Sequence, residues 1–161
     1  MFEKLYYRKD STDRCELKNR WIKFTPELST DSRLLVIDKH GHYINVVARL
    51  NYNNDEKFPC LAMIDLDKRT INTYPALPLE KITIEVFMRE SGNYRWIKSS
   101  GGKVENNAVK GGIIENETVY VCRMKVDGHY SAGMMRPSTG TCEVLNAYQP
   151  RQDYELLIRE E

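Results

Sequence analysis

The feature that most constrains the fold is an internal duplication. Both tryptophans of the chain, Trp21 and Trp96, stand inside the same four letters, RWIK. The offset between the two copies is 75 residues, from position 21 to position 96. Self-similarity at a fixed offset indicates repeated structural units that bury their apolar faces against each other. We therefore expect two similar modules within the 161 residues.

An arginine-bearing segment repeats in the same way. VVARLNY at 46–52 lies against YVCRMKV at 120–126 with an offset of 74, which aligns Arg49 with Arg123. In both segments apolar residues alternate along one face of a predicted strand, and the arginine points to the other face. The two segments are therefore predicted to be equivalent strands of the two modules.

The closing segments of the two halves also match. IEVFMRE at 84–90 aligns with YELLIRE at 154–160 at an offset of 70, which places Glu85 on Glu155. The offset changes only across turn-rich stretches, where insertions are tolerated. Three matches in the same order along the chain indicate a tandem duplication.

The duplication gives the predicted domain organisation. Residues 1–92 hold an extra N-terminal strand and the first module, and residues 93–161 hold the second, both within one compact domain. The segment FEKLYYR at 2–8 is similar to the two closing segments, by descent or by chance. If by descent, it fills in one half the position that a closing strand fills in the other, and this strand exchange protects a sheet edge.

The hydropathy pattern is that of β-strands. KITIEVFM and TVYVCRMKV alternate between apolar and other residues, and short runs of this kind are separated by turn signals such as KHGH, ESGN, SSGG and VDGHY. Helical periodicity is hard to find. The chain is therefore predicted to be all-β, with two tandem pseudo-symmetric antiparallel modules that form a sandwich or barrel-like domain.

Bulk charge and hydropathy exclude several classes of protein. The formal net charge is +1 and no basic stripe is present, so nucleic acid is not a predicted partner. No segment approaches the roughly 18 apolar residues of a membrane span. The charged N-terminus has no apolar stretch of signal-peptide length, which predicts a cytoplasmic protein unless a leader was removed or export is unconventional.

The cysteines show no metal-binding spacing. In a reducing compartment cysteines are expected to be free and mostly buried thiols. We make that prediction for the four cysteines Cys15, Cys60, Cys122 and Cys142.

The histidines and other reactive side chains form no recognised catalytic signature. His40, His42 and His129 all stand beside glycine turns, and no carboxylate or cysteine of suitable spacing completes a zinc site around the first two. No nucleophile with an adjacent base is evident. We predict no enzymatic activity, no cofactor and no metal.

The repeated arginines have two interpretations. The first is structural: Arg49 and Arg123 are buried or half-buried and each pairs with a repeated carboxylate, Glu85 or Glu155. The second is a role in ligand binding. The repeated tryptophans carry the same choice, since they either fill the two ends of the core or form a platform for a sugar.

A series of residues in the second half has the spacing of a known motif, and the first half keeps only Trp21, Arg49 and Glu85 from it. The chain resembles the DM-nine repeat, a short β-rich module found in tandem pairs. The residues that carry the resemblance are Trp96, Asn107-Ala108, Gly111-Gly112, Val119-Tyr120-Val121, Arg123, Gly128, Gly133, Pro137, Cys142 and Tyr154-Glu155-Leu156-Leu157.

The resemblance implies a compact pseudo-twofold fold of a family that is often dimeric, with a homodimer as one possible partner, and non-catalytic recognition. Some members of the DM-nine family are mannose-binding lectins of invertebrate innate immunity that use no metal ion, and others are intracellular proteins that respond to pathogens. In the lectins, an acidic residue before the arginine strand and the lysine of a Pro-Gly-Lys turn bind the sugar. Carboxylate and ammonium groups suit this task because they hydrogen-bond neighbouring hydroxyls.

The acidic half of this predicted sugar site is present. Asp38 occupies the acidic position in the first half, with His40 in the same turn. Glu115, with Asn116 beside it, is the looser match in the second half. The resemblance thus implies ligand-binding roles for these residues.

The cationic half of the site is replaced. Leu61 stands at the lysine position of the first half and Met134 at that of the second. Two functions therefore remain open. The first is recognition of a mannose-type carbohydrate, in an innate immune or pathogen response. The alternative is an intracellular protein-interaction or scaffold module that has lost sugar binding.

Overall fold

The computed structural model describes residues 21–51, 56–73, 82–89, 92–145 and 149–160, and this part of the chain is all-β, as predicted. One short 3₁₀ helix, Pro26–Thr30, interrupts the strands, and no described helix is long and apolar enough to cross a membrane. The strands are β1 (Trp21–Lys23), β2 (Val36–His40), β3 (Tyr43–Asn51), β4 (Lys57–Asp65), β5 (Thr70–Thr73), β6 (Thr83–Phe87), β7 (Asn93–Ser100), β8 (Lys110–Ile114), β9 (Glu117–Val126), β10 (His129–Arg136), β11 (Thr141–Val144) and β12 (Asp153–Glu160).

The strands form two six-stranded antiparallel sheets with the same topology. The first has the order β1-β6-β3-β4-β5, with β2 paired to β3. The second has the order β7-β12-β9-β10-β11, with β8 paired to β9. Neither sheet closes on itself, so the fold is sandwich-like and not a closed barrel. The duplication in the sequence is thus matched strand for strand.

The register of the strands repeats as well. Arg49 lies opposite Glu85 in the first sheet, and Arg123 lies opposite Glu155 in the second. A register shift of the bulge type falls between Val36 and Asp38 in β2, and another falls at the equivalent point of β8. Each bulge therefore bends the strand that precedes the arginine strand.

Each closing strand stays in its own sheet. β6 pairs with β1 and β3, and β12 pairs with β7 and β9. The position considered for strand exchange is therefore filled in both halves by the half's own strand. The segment 2–8, predicted to take part in that exchange, lies outside the described residues.

The two faces of each sheet bury different apolar clusters. In β3, Val46, Ala48 and Leu50 belong to the core of the first half, whereas Val47 faces a cluster shared by both halves. The tryptophans pack in this shared cluster, Trp21 buried and Trp96 half-buried. The halves therefore adhere through a continuous apolar layer of the kind that holds two-layer domains together.

Strands β4, β8 and β10 form the closest approach between the sheets. Gly111 lies so near to Pro59 that an added Cβ at position 111 would stand 2.2 Å from the proline Cγ. A residue without a Cβ is required where two backbones or a backbone and a ring approach this closely. The paired glycines of the second half are therefore explained by the contact between the halves.

The structure corrects the prediction of free thiols for one pair of cysteines. Cys122 on β9 and Cys142 on β11 form a disulfide, with their Cα atoms 6.1 Å apart. Cys60 is free and buried, and burial raises the pKa of its thiol to about 12. Cys15 lies outside the described residues, and the cytoplasmic location stays a prediction.

Curvature of the second sheet brings the two cysteines together. Strand β10 lies between β9 and β11, and strands so separated in a flat sheet are about 10 Å apart. The 6.1 Å between the Cα atoms therefore means that β11 bends over β10 toward β9. At the equivalent positions of the first half stand Ala48 and Thr73, so no such bond is available there.

Removing the disulfide is expected to destabilise the protein. A double replacement, Cys122→Ser with Cys142→Ser, should lower the free energy of unfolding by about 3 kcal/mol, because the loop of 20 residues is no longer closed in the unfolded chain. Urea unfolding with and without reductant measures this difference. Cys60→Ala is the control that leaves the bond intact, and an unchanged midpoint under reductant would contradict the prediction.

Candidate functional site

A row of alternating charges crosses the second sheet. Glu155 on β12 lies directly between Arg123 on β9 and Lys98 on β7 in the strand register. Side chains directly opposite each other on paired strands are neighbours on the same face of a sheet. The sheet therefore presents a basic, an acidic and a basic group side by side.

Arg123 is held between an acid and two aromatic rings. Its Nε donates a hydrogen bond to Glu155 Oε1 at 2.5 Å. Its guanidinium carbon lies 4.7 Å from the centroid of the Trp96 ring and 3.8 Å from that of Tyr130. A planar guanidinium suits this position because it can stack on rings while it donates in its own plane.

This stack forms one wall of an open cleft of about 450 Å³, a size typical of small-ligand sites. The cleft is lined by four basic and two acidic side chains, together with two tyrosines. Lys98 and Lys125 are exposed and make no ion pair with any described residue. The lining residues are Lys98, Ser99, Arg123, Met124, Lys125, Tyr130, Arg151, Asp153, Tyr154 and Glu155.

The first half carries the same stack in a covered form. Arg49 Nε donates to Glu85 Oε1 at 2.6 Å, and the guanidinium carbon lies 4.6 Å from the centroid of the Trp21 ring. Arg49 Nη1 also donates to the carbonyl of Gly111 at 2.9 Å, and Trp21 Nε1 donates to that of Lys110 at 3.3 Å. Strand β8 of the second half therefore covers this stack.

The covered position affects the ionisation of its arginine. Burial lowers the pKa of Arg49 below its ordinary value, and the hydrogen bond and negative charge of Glu85 oppose that shift. In the second half, the hydrogen bonds of Arg123 within the described residues are made through Nε alone. The same stack of tryptophan, arginine and glutamate therefore joins the halves in one copy and borders an open cleft in the other.

The predicted acidic positions are not equivalent in the structure. The common bulge and register align Asp38 with Gly112, which is three positions before Glu115. Asp38 Oδ1 accepts a hydrogen bond from Asn45 Nδ2 at 2.6 Å. Asp38 and Glu115 are therefore not structural equivalents, because Asp38 lies in β2 and Glu115 lies in the turn after β8.

Glu115 and Asn116 form a hairpin turn at the surface. Both have positive φ angles, 52° and 65°. Glu115 accepts a hydrogen bond from Arg136 Nη2 at 2.6 Å, and this bond raises the pKa of Arg136. The backbone N–H of Glu115 donates to Glu56 of the first half. The turn thus forms hydrogen bonds with side chains of both halves.

Leu61 and Met134, which the sequence aligns with the lysine of a Pro-Gly-Lys turn, lie within strands. The prediction that each stands in a turn is therefore wrong. Leu61 on β4 pairs with Val47, and Met134 on β10 pairs with Val121, so the two residues are equivalent. Leu61 packs in the cluster shared by the halves. Met134 is buried in a further apolar cluster with Ile114, Val119 and Phe58. Neither side chain replaces the missing ammonium group.

The two histidines of the His40-Gly41-His42 segment contact different partners. His40 is the last residue of β2, and His42 lies in the β2–β3 turn, where it stacks on Tyr43 with ring centroids 4.1 Å apart. His40 instead meets His129 of the second half, with ring centroids 5.6 Å apart. No motif in the sequence indicated this contact between the halves. The cleft residues Lys98, Tyr130 and Arg151 were likewise not identified from the sequence.

Two antiparallel sheets of identical strand order, each with a tryptophan, an arginine and a glutamate in one stack, define a tandem β-repeat protein. The family model described as DM9 repeat matches residues 38–160. The chain belongs to the DM9 repeat family, a lectin-like family, and the DM-nine resemblance is confirmed. No curated protein matches the chain.

Proposed function

We propose that this protein is a non-catalytic carbohydrate-binding protein and that mannose-type glycans bind in the cleft over Arg123 and Tyr130. The observation that carries the proposal is the difference between the two stacks. The stack of Arg49 is covered by β8, while that of Arg123 borders an open cleft of about 450 Å³. Membership of a lectin-like family supports the same class of ligand.

The cleft offers the chemistry that a sugar requires. Asp153 and Glu155 are acceptors, Lys98 and Lys125 are donors, and all four line the cleft. Neighbouring hydroxyls of a sugar can donate to a carboxylate and accept from an ammonium group. The half-buried ring of Tyr130 offers an apolar surface for the C–H groups of the sugar. The two lysines supply the cation that Leu61 and Met134 do not.

The competing function is a protein-interaction or scaffold module. The packing of Leu61 and Met134 favours it, because apolar side chains at both lysine positions leave the family's sugar-binding positions without a cation. A scaffold of this kind would bind no carbohydrate in the cleft.

Replacing Lys98 tests the carbohydrate site. Lys98→Gln should weaken mannoside binding about tenfold, because a charge-assisted hydrogen bond is lost. Lys23→Gln is the matched control: Lys23 lies opposite Glu85 in the same register in which Lys98 lies opposite Glu155. We expect this control to bind like the unmodified protein. Isothermal titration with methyl mannoside and a glycan array measure the affinities.

The binding measurements can give three results, which test the cleft and the carbohydrate function. Binding that is weakened by Lys98→Gln and not by Lys23→Gln supports the cleft. Binding that neither variant changes would place the sugar elsewhere and overturn the cleft as its site. No binding to any glycan on the array, with mannoside at millimolar concentration, would overturn the carbohydrate function and favour the scaffold.

A further inference from the structure

We propose that Asp38, His40 and His129 form a binding site for one divalent transition-metal ion, with zinc as the representative ion, that joins the two halves of the protein. The three residues each offer one ligand atom, and these atoms all lie within 4.8 Å of one another. Two come from the first sheet and one comes from the second. The site is separate from the cleft over Arg123 and does not depend on carbohydrate binding.

The distances suit a small tetrahedral ion. His40 Nε2 lies 3.4 Å from Asp38 Oδ2. At zinc–ligand bond lengths of about 2.0–2.1 Å, two ligand atoms of a tetrahedral site are about 3.3–3.4 Å apart. An ion between these two atoms would therefore need little movement of either side chain.

The strand geometry directs the three side chains to one place. Asp38 and His40 are separated by one residue in β2, so they point to the same face. His129 begins β10 of the second sheet, and its ring lies 5.6 Å from that of His40. The proposed ligands are thus held by two strands and not by one loop.

A hydrogen bond orients the carboxylate. Asn45, which is opposite Asp38 in the register of β2 and β3, donates to Oδ1 at 2.6 Å. This bond leaves Oδ2 directed toward His40. Groups that hydrogen-bond a metal ligand fix its orientation and add to the affinity of the site.

The ligand set selects the class of ion. Two imidazoles and one carboxylate suit zinc and related transition metals, whereas calcium and magnesium prefer a shell of oxygen atoms. Three protein ligands leave a fourth position for water. The equivalents of Asp38 and His40 in the second half are Gly112 and Ile114, so the duplication does not repeat this set in the described strands.

A second group, His42 with Asp65 and Asp67, is the competing site on the first half. There Asp65 Oδ1 already accepts hydrogen bonds from the backbone N–H groups of Asp67 and Lys68. The carboxylate thus forms the turn after β4. The first group has the better claim for a transition metal, because it offers two imidazoles against one and its His40 Nε2 and Asp38 Oδ2 are already 3.4 Å apart.

Zinc titration with two histidine variants tests the proposal. The metal-free protein should bind one zinc ion per chain, and His129→Ala should weaken that affinity by at least about tenfold, as expected for loss of a ligand. His42→Ala is the matched control, since His42 is also exposed and lies in the turn that follows His40. We expect it to bind zinc like the unmodified protein.

A thermal measurement gives a second readout. Zinc at about a hundred times its Kd should raise the Tm of the unmodified protein by about 5–10 °C, and the His129→Ala variant should show no such rise. Circular dichroism confirms that the variant is folded. The same titration on Cys15→Ser protein controls for zinc bound by that thiol, which lies outside the described residues.

Three outcomes would overturn the proposal: no zinc binding by the unmodified protein, unchanged binding after His129→Ala, or loss of binding after His42→Ala alone. The last would assign the ion to His42, Asp65 and Asp67. Selective loss after His129→Ala would support the site, and a weaker loss after Asn45→Ala would support the orienting hydrogen bond.

Discussion

Gly133→Ala is expected to lower the free energy of unfolding by about 4 kcal/mol, the largest effect of any single replacement considered for this protein. A Cβ at position 133 would stand 2.0 Å from the backbone oxygen of Glu143 and 2.8 Å from its carbonyl carbon. The obstacle is the backbone of the neighbouring strand and not the end of a flexible side chain. Strand β11 would therefore have to move as a whole.

The disulfide explains why this position is so restricted. Gly133 lies on β10 opposite Cys122 on one side and Val144 on the other. β11 bends over β10 at this point to bring Cys142 within bonding distance of Cys122. A methyl group at position 133 would oppose that bend, so Gly133→Ala should also reduce the fraction of protein that forms the disulfide.

The first half provides the matched control for Gly133. The equivalent position is Cys60, a buried residue opposite Ala48, and no disulfide crosses β4 there. Cys60→Ala should therefore cost about 1 kcal/mol, the size of a small cavity. Urea unfolding and titration of free thiols measure both effects. If Gly133→Ala unfolds within 1 kcal/mol of the unmodified protein and retains the disulfide, the steric explanation is wrong.

The sheet arrangement was visible in the sequence because the framework residues are identical in the two halves. Trp21, Arg49 and Glu85 recur with the same strand assignment and the same face, and they lie in one stack in the structure. Such residues repeat because each stack satisfies a buried or half-buried charge, a requirement that both copies share. The predicted domain boundary between residues 92 and 93 remains a prediction.

The disulfide could not be predicted for a physical reason. Pairing of Cys122 with Cys142 depends on how strongly β11 bends over β10, and cysteine spacing does not encode that curvature. The contact of His40 with His129 depends on how the two sheets dock. A single sequence contains no signal that two residues 89 positions apart are in contact. The sequence pattern therefore described each sheet better than it described the contacts between them.

The cleft escaped prediction because its two copies differ. Lys98 and Arg123 have equivalents in Lys23 and Arg49, so repetition alone suggested a common structural role. The docking of β8 on the first stack makes that copy the covered one. In a duplicated protein, a single sequence does not show which of two equivalent residues is covered and which is open.

Arg49→Ala is expected to lower the free energy of unfolding by about 3–4 kcal/mol, because it leaves the half-buried carboxylate of Glu85 without a partner. The same replacement removes the hydrogen bond to the carbonyl of Gly111 and the contact with the Trp21 ring. Two of the lost contacts therefore stabilise the first half, and the third joins it to the second.

Comparison with Arg123→Ala separates two contributions to the free energy of unfolding. One is the stability that both stacks provide, and the other is the stability that the contact between the halves adds. Arg123 has the same acid and tryptophan partners but borders the open cleft, where water can solvate Glu155. We expect a loss of about 1–2 kcal/mol for Arg123→Ala by urea unfolding. The double replacement Arg49→Met with Glu85→Leu should recover most of the stability that Arg49→Ala loses, because it removes both charges and fills their volume. If Arg49→Ala and Arg123→Ala cost the same, the bond between Arg49 and the carbonyl of Gly111 contributes nothing to the stability of the junction.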